Sequence, residues 1–219
     1  MAEVDLLRYY PKSKRNVDER VERADAKVRE ISMQFGEDFF DGSRIYGYGG
    51  YSYHPRFWGE TVRHIKKHYG LADDAHLLDV GSAKGFMLHD FMQQFPDMTV
   101  AGIDISQYAY DNSIVSVRPF LRVGNATELP FADDSFDIVT SINTVHNLPE
   151  IECKQALREI MRVTRKHAFI VVDGWKTEEE RECLQSWVLT ARTYMHVDDW
   201  EQLFKEVNYT GDYYWFTVD

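Results

Sequence analysis

"HLLDVGSAKG", residues 76–85, joins a short apolar run to a turn in which Gly81, Ala83 and Gly85 alternate with Ser82 and Lys84. A run of this length, bounded by small residues, reads as a strand buried on both faces. In an open parallel sheet the ligand lies at the carboxyl ends of the strands, so a small-residue turn directly after a strand marks the place where a cofactor's backbone contacts are made. A dinucleotide fingerprint spaces its glycines G-x-G-x-x-G. Here the third small residue, Gly85, comes one position early, which disfavours a pyrophosphate.

Outward from this turn, short apolar runs alternate with amphipathic stretches. Strands are expected at 76–80, 99–103, 120–123, 136–141 and 168–172, with helices near 85–95, 106–116, 149–164 and 176–190. A helix near 198–207 and an aromatic strand at 212–218 follow. Strand alternating with helix implies right-handed crossovers and parallel pairing, hence an α/β fold with a doubly wound, mostly parallel sheet. Upstream, Val17, Val21, Ala24, Val28, Ile31 and Phe35 share one stripe of a helix expected over 16–35, with Asn16 and Glu19 placed as a capping box. That stripe suits three roles: covering the site, packing on the domain's flank, or pairing with a second copy in a homodimer. Residues 41–54, rich in Gly and Tyr, read as a loop, and 56–71 regain a helical period. The chain divides accordingly into an N-terminal helix and lid segment, 1–55, and the sheet domain, 56–219.

Composition narrows the function. The 219 residues carry 36 Asp and Glu against 25 Lys and Arg, a formal charge of −11, which repels a phosphate backbone. Nucleic acid is therefore not the expected substrate. The two cysteines, Cys153 and Cys183, show no disulfide or zinc spacing, which suits a reducing cytoplasm. No apolar run is long enough for a membrane span, the N-terminus lacks a signal-like stretch, and no His, Cys or carboxylate cluster has metal spacing.

An acidic residue, then Gly81, Ala83 and Gly85 after Asp79, resembles motif I of class I S-adenosylmethionine-dependent methyltransferases, with alanine at the middle glycine. Asp104, which ends "AGID" 19 residues after Gly85, matches the acid that holds the ribose hydroxyls in that family. "GNATELPFADDSFDIV", residues 124–139, is similar to the family segment at the adenine, with Asn125 where many relatives have Asp. The resemblance spans roughly 76–175 and is closest to the small-molecule, methyltransferase type 11-like branch. It implies a Rossmann-like domain binding S-adenosyl-L-methionine through Asp79, Gly81, Ser82, Ala83 and Gly85. Asp104, Ile105, Asn125, Ala126 and Asn143 complete that implied set.

Methyl transfer to a hydroxyl or ammonium asks for a base near the end of the fourth strand. "SINTVHNL" lies there, and His146 is the candidate, its ordinary pKa being near neutrality. Asp173, after the fifth strand, is a second candidate. Tyr46, Tyr48, Tyr51 and Tyr53, with Arg44 and His196, are expected to line the acceptor, the Tyr/Gly loop acting as a lid. Arg44 and His54 point to an acidic or phosphorylated acceptor. The expected activity is methylation of an oxygen or nitrogen on a small soluble metabolite, of the kind handled in bacterial biosynthetic clusters such as surface-glycan modification. The rivals are a methyltransferase acting on protein or RNA, a non-catalytic partner subunit of the same fold, and a dehydrogenase. The glycine spacing weighs against the last.

Overall fold

The computed structural model describes residues 1–11 and 25–217. Its centre is a sheet of strands β1 (His76–Val80), β2 (Thr99–Asp104), β3 (Leu121–Val123), β4 (Phe136–Ile142), β5 (Thr164–Trp175), β6 (Met195–His196) and β7 (Asp212–Phe216). The order runs β3-β2-β1-β4-β5, β7 pairs with Phe169–Asp173 of β5, and β6 pairs with Gly174 and Trp175. Every one of these pairings is parallel. The expected α/β doubly wound sheet is present. Its last strand is parallel because α8 (Val197–Glu206) carries the chain back along the sheet after β6. The outer edge of β7 is then covered by a parallel bridge from Glu3 to Tyr213.

Side-chain alternation divides the core between the faces. Leu77 and Phe169 point to one layer, with Val62 and Ile65 of α3 (Pro55–Tyr69), Phe91 of α4 (Phe86–Gln94) and Leu6. Leu78 and Ile170 point to the other, with Leu157 and Ile160 of α6 (Glu150–Val163) and Trp200 and Phe204 of α8. Helix α3, which follows the expected helical period over 56–71, is bounded by Pro55 in its first turn and Gly70 in a left-handed cap.

Three expected helices differ. Within 16–35, the described helix α1 runs only Ala26–Ser32, capped by Asp25, whose carboxylate accepts the Val28 N–H at 2.8 Å. The Asn16/Glu19 cap and the stripe positions Val17, Val21 and Ala24 lie outside the described residues. Phe35 leaves the helix with φ 49° and offers its carbonyl to the Ser106 hydroxyl; a second short helix, α2 (Glu37–Phe40), follows. The helix expected at 106–116 is α5, Gln107–Asp111. It stops there because the Ile114 N–H goes to the Lys84 carbonyl, while the Arg118 guanidinium takes the carbonyls of Asp111 and Ser113. Helix α7 is Glu178–Trp187, inside the expected 176–190, with a capping box at Thr177 and Glu180.

The turn after β1 is what positions the site. Gly81 (φ 88°), Ala83 (φ 47°) and Gly85 (φ 77°) are all left-handed. The N–H groups of Gly81 and Ser82 both reach the Ile103 carbonyl, pinning the turn to β2. A Cβ on Gly81 would overlap the Thr144 side chain. Gly81→Ala therefore combines left-handed strain with overpacking and should lower stability by about 2–4 kcal/mol. Ala83→Gly removes strain from a residue already in that conformation and should change stability by no more than about 1 kcal/mol, in the stabilising direction if at all. Denaturant melts of the two variants check both; equal losses would show that the turn is not under backbone constraint.

Candidate active site

Two carboxyls flank the glycine turn. Asp79, near the end of β1, is buried and accepts the Thr140 hydroxyl at 2.8 Å. Burial pushes its pKa up to about 7; the Thr140 hydrogen bond opposes this and the nearby Asp104 charge adds to it. Asp104, at the end of β2, accepts the Ala83 N–H on Oδ2 and the Ser106 N–H on Oδ1, each at 2.8 Å. Burial raises this carboxyl too, against the lowering effect of those two backbone donors. No basic side chain contributes to either shift. Each Asp104 oxygen retains a lone pair for a further donor. The edge thus holds two carboxyls whose charged forms are costly until a cation or hydroxyl donors arrive.

The same edge collects polar atoms in need of a partner. Among the described residues, Ser82 Oγ, Asn143 Oδ1 and Asn147 Oδ1 are buried without a hydrogen bond. Asn143 takes φ 53° just past β4, and its N–H is held by the Val171 carbonyl. Beyond Asp104, Ile105 is 56% exposed, an apolar face beside the carboxylate. Asn125 uses its Oδ1 to cap the Thr127 N–H, and Ala126 packs on the core below.

His146 sits in a 3-10 turn, Val145–Asn147, only 4% exposed. Its Nδ1 accepts the Asp173 backbone N–H at 2.9 Å. An acceptor at Nδ1 leaves the proton of the neutral ring on Nε2. Burial lowers its pKa, with the Asp173 carboxylate 3.7 Å away raising it in part. The ring is therefore neutral and offers an N–H, whereas a general base needs a free lone pair. The base role expected from sequence is not the one this hydrogen bond supports; a donor that positions a ligand is. Asp173 is buried, and its own carbonyl accepts the Trp200 indole N–H at 2.8 Å. His196 caps α8, with Nδ1 accepting the Asp198 N–H.

Residues 35–54 cross over the glycine turn as a strap. Tyr51 stacks on Phe86 at 4.7 Å, and Tyr48 lies 4.4 Å from Tyr51. Burial lifts the Tyr51 hydroxyl well above its ordinary pKa, and the charges of Tyr48, Tyr10, Asp79 and Asp104 add to the shift. Tyr53 instead donates to Asp90 on α4 at 2.6 Å, and Tyr46 is half-buried within the loop. Arg44 donates to the Tyr48 carbonyl, and His54 caps α3. Of the expected acceptor-lining set, Tyr48 and Tyr51 lie in an aromatic seam that ends on Phe86 beside the glycine turn, while Tyr53, Arg44 and His196 make local hydrogen bonds.

Sequence reading missed the side chains that seat the strap. Lys84, within the glycine turn and 5% exposed, donates to Asp41 Oδ2 at 2.5 Å and to the Tyr51 carbonyl at 2.9 Å. Tyr108 donates to the same Asp41 oxygen at 2.8 Å. Partial burial pushes the Asp41 carboxyl up, but the Lys84, Tyr51 and Tyr108 hydrogen bonds together hold it below the ordinary value. The one available signal was a lysine inside an otherwise small-residue turn.

Residues 78–172 match the family described as methyltransferase domain. A demethylmenaquinone methyltransferase of Symbiobacterium thermophilum is 31% identical over 153 residues, 66% of this chain and 57% of its own length. The methyltransferase YcgJ of Bacillus subtilis is 30% identical over 110 residues, 47% of this chain and 42% of its own. Its crystal structure aligns with a TM-score of 0.54 at 20% identity, covering 67% of this chain and 66% of that one. The [4+2]-cyclase SpnF aligns with a TM-score of 0.53 at 18% identity, covering 68% and 58%. These structural likenesses establish the fold alone, which hosts more than one reaction. The chain spans about half the length of the relatives it matches. Sequence match, strand order and the glycine turn agree that residues 78–172 carry a methyltransferase domain of Rossmann-like fold.

Proposed function

We propose that the chain moves a methyl group from S-adenosylmethionine to an oxygen or nitrogen of a small soluble metabolite, in the reducing cytoplasm that suits its two free cysteines. The observation that carries this reading is the pair Asp79 and Asp104 on either side of the glycine turn, both with raised pKa and no cation of their own. A ligand with a positive charge and two vicinal hydroxyls answers both demands. The orphaned Ser82 Oγ and Asn143 Oδ1 fit the same ligand, since each needs a polar partner at this edge.

When bound, the cofactor supplies a methyl group made electrophilic by a cationic sulfur. The chain's own residues then position and desolvate. Asp104 has lone pairs for the ribose hydroxyls, Ile105 offers an apolar face for the adenine, and Asn125 stands beside it. His146 would present Nε2–H to a ligand oxygen or nitrogen. Alignment of the reactants in such a site accounts for much of the acceleration of a displacement.

The relatives named demethylmenaquinone methyltransferase point to a small-molecule acceptor, as does the −11 charge, which weighs against RNA. Arg44 gives one N–H to the Tyr48 carbonyl and His54 Nδ1 accepts the Arg56 N–H, and neither bond weighs against an acidic or phosphorylated acceptor.

Asp104→Asn should weaken S-adenosylmethionine binding by about 1.5–3 kcal/mol in calorimetry, as for loss of charge-assisted hydrogen bonds. Unchanged affinity in a folded variant would remove Asp104 from the site.

Asp79 adds a pH dependence. Between its ordinary value of 3.8 and its folded value of about 7, the folded chain keeps a proton that the unfolded chain has released. The free protein's stability from this group therefore declines as pH rises through that window. A cationic ligand favours the ionised carboxyl, so affinity for S-adenosylmethionine relative to the neutral-sulfur S-adenosylhomocysteine should rise from pH 6 to 8. In Asp79→Asn the ratio should be flat; a ratio independent of pH in the wild type would separate Asp79 from the sulfonium.

For His146, a positioning role means that His146→Gln, which can both accept and donate, keeps turnover within about 10-fold, while His146→Ala loses about 100-fold. Equal losses in both variants would restore the general base.

A further inference from the structure

Lys84 belongs to the glycine turn, yet its ammonium does not face the two carboxyls of the site. It is turned outward onto Asp41 and the Tyr51 carbonyl. Tyr108, just beyond β2, closes on the same Asp41 oxygen, and the Ser106 hydroxyl closes on the Phe35 carbonyl at 2.5 Å. Four contacts from the cofactor-binding edge thus seize one strap. An aromatic seam adds to them: Phe40, Tyr48, Tyr51 and Phe86 follow one another at 4.4–5.9 Å.

The strap also stands in the way. Tyr51 stacks at 4.7 Å on Phe86, the residue directly after the glycine turn that a ligand must reach. Two surface depressions among the described residues, about 420 and 190 Å³, lie elsewhere. The first is lined by Lys67, Gly70 and Phe95, the second by Met1, His167 and Gly211, all next to the amino-terminal ends of strands. Gly49 and Gly50, at φ 69° and 105°, place a pivot immediately before Tyr51.

We propose that residues 35–54 form a gate latched by the Lys84–Asp41 ion pair, and that release of this latch sets the rate at which a nucleoside thioether or sulfonium enters and leaves the site. This rests on reading the site as one for S-adenosylmethionine. A latch placed on the glycine turn is well sited for coupling, because any ligand that shifts the turn also shifts Lys84 and its hold on the strap.

The separating variant is Asp41→Asn. The Tyr51 N–H donates to Asp41 Oδ1 at 2.9 Å, a bond an asparagine oxygen can keep, while Lys84 and Tyr108 lose their carboxylate oxygen. In the full-length chain, stopped-flow fluorescence with S-adenosylhomocysteine should show association and dissociation each about 10-fold faster or more, with Kd altered by less than about 3-fold. Tyr108→Phe, which deletes one hydroxyl, should shift both rates in the same direction by a smaller factor. Without ligand, amide exchange at Tyr48, Gly50 and Tyr51 should quicken in Asp41→Asn while the sheet amides stay unchanged. Unchanged strap exchange would overturn the latch. Faster strap exchange with unchanged ligand rates would overturn the gate. If the wild type and both variants fail to bind S-adenosylhomocysteine at all, the cofactor reading falls and the gate with it, while amide exchange still decides whether the latch exists.

Discussion

Three left-handed residues in five, Gly81, Ala83 and Gly85, are the constraint on which the carboxyl edge of this protein depends. The turn must pass under Thr144 with no room for a Cβ at Gly81, and must hold its N–H groups against β2. Ala83 carries a conformational cost that glycine would not. Part of it is offset by the hydrogen bond from the Ala83 N–H to Asp104, which also sets the carboxylate's orientation. The departure from an all-glycine motif and the placement of the acid are thus one feature: the residue that strains the turn is the one the acid holds. From this follow the short α5, ended because the Lys84 carbonyl claims the Ile114 N–H, and the outward reach of the Lys84 side chain.

Charge at the edge is arranged as an unmet demand. The Asp104 charge raises Asp79, and both carboxyls are buried enough to resist ionisation, yet the lysine between them in sequence is committed to Asp41. An ammonium turned inward would have neutralised the pair and left nothing for a cationic ligand to satisfy. Spending Lys84 on the strap keeps the site electrostatically open and the strap closed with a single side chain. Burial also makes the Lys84–Asp41 pair a switch-like contact, because breaking it strands a charge in poor solvent.

His146 shows how a second group is tuned. One backbone N–H, from Asp173, fixes which ring nitrogen holds the proton, and the Asp173 carbonyl is in turn tied to Trp200 of α8. The tautomer at the site is therefore linked, through Asp173, to the packing of the last helix against β5.

Much of the fold was legible in sequence because it is local. The apolar runs at 76–80, 99–103 and 136–141 announce buried strands, the helical period over 56–71 announces a helix, and Asp79, Gly81, Gly85 and Asp104 lie at spacings set by a strand, a turn and one crossover. These depend on residues within about one structural unit of each other, where periodicity and backbone conformation act. Tertiary structure decided the rest. That the last strand is parallel follows from the path of α8. That His146 is a donor depends on an amide 27 residues away, that Tyr53 is an anchor depends on Asp90, 37 residues away, and that Lys84 serves the strap depends on Asp41, 43 residues away. Each is a question of which polar group finds which partner once the chain is compact. Composition and spacing carry no record of that pairing, because any of several donors would satisfy the same acceptor until packing brings one of them within 3 Å.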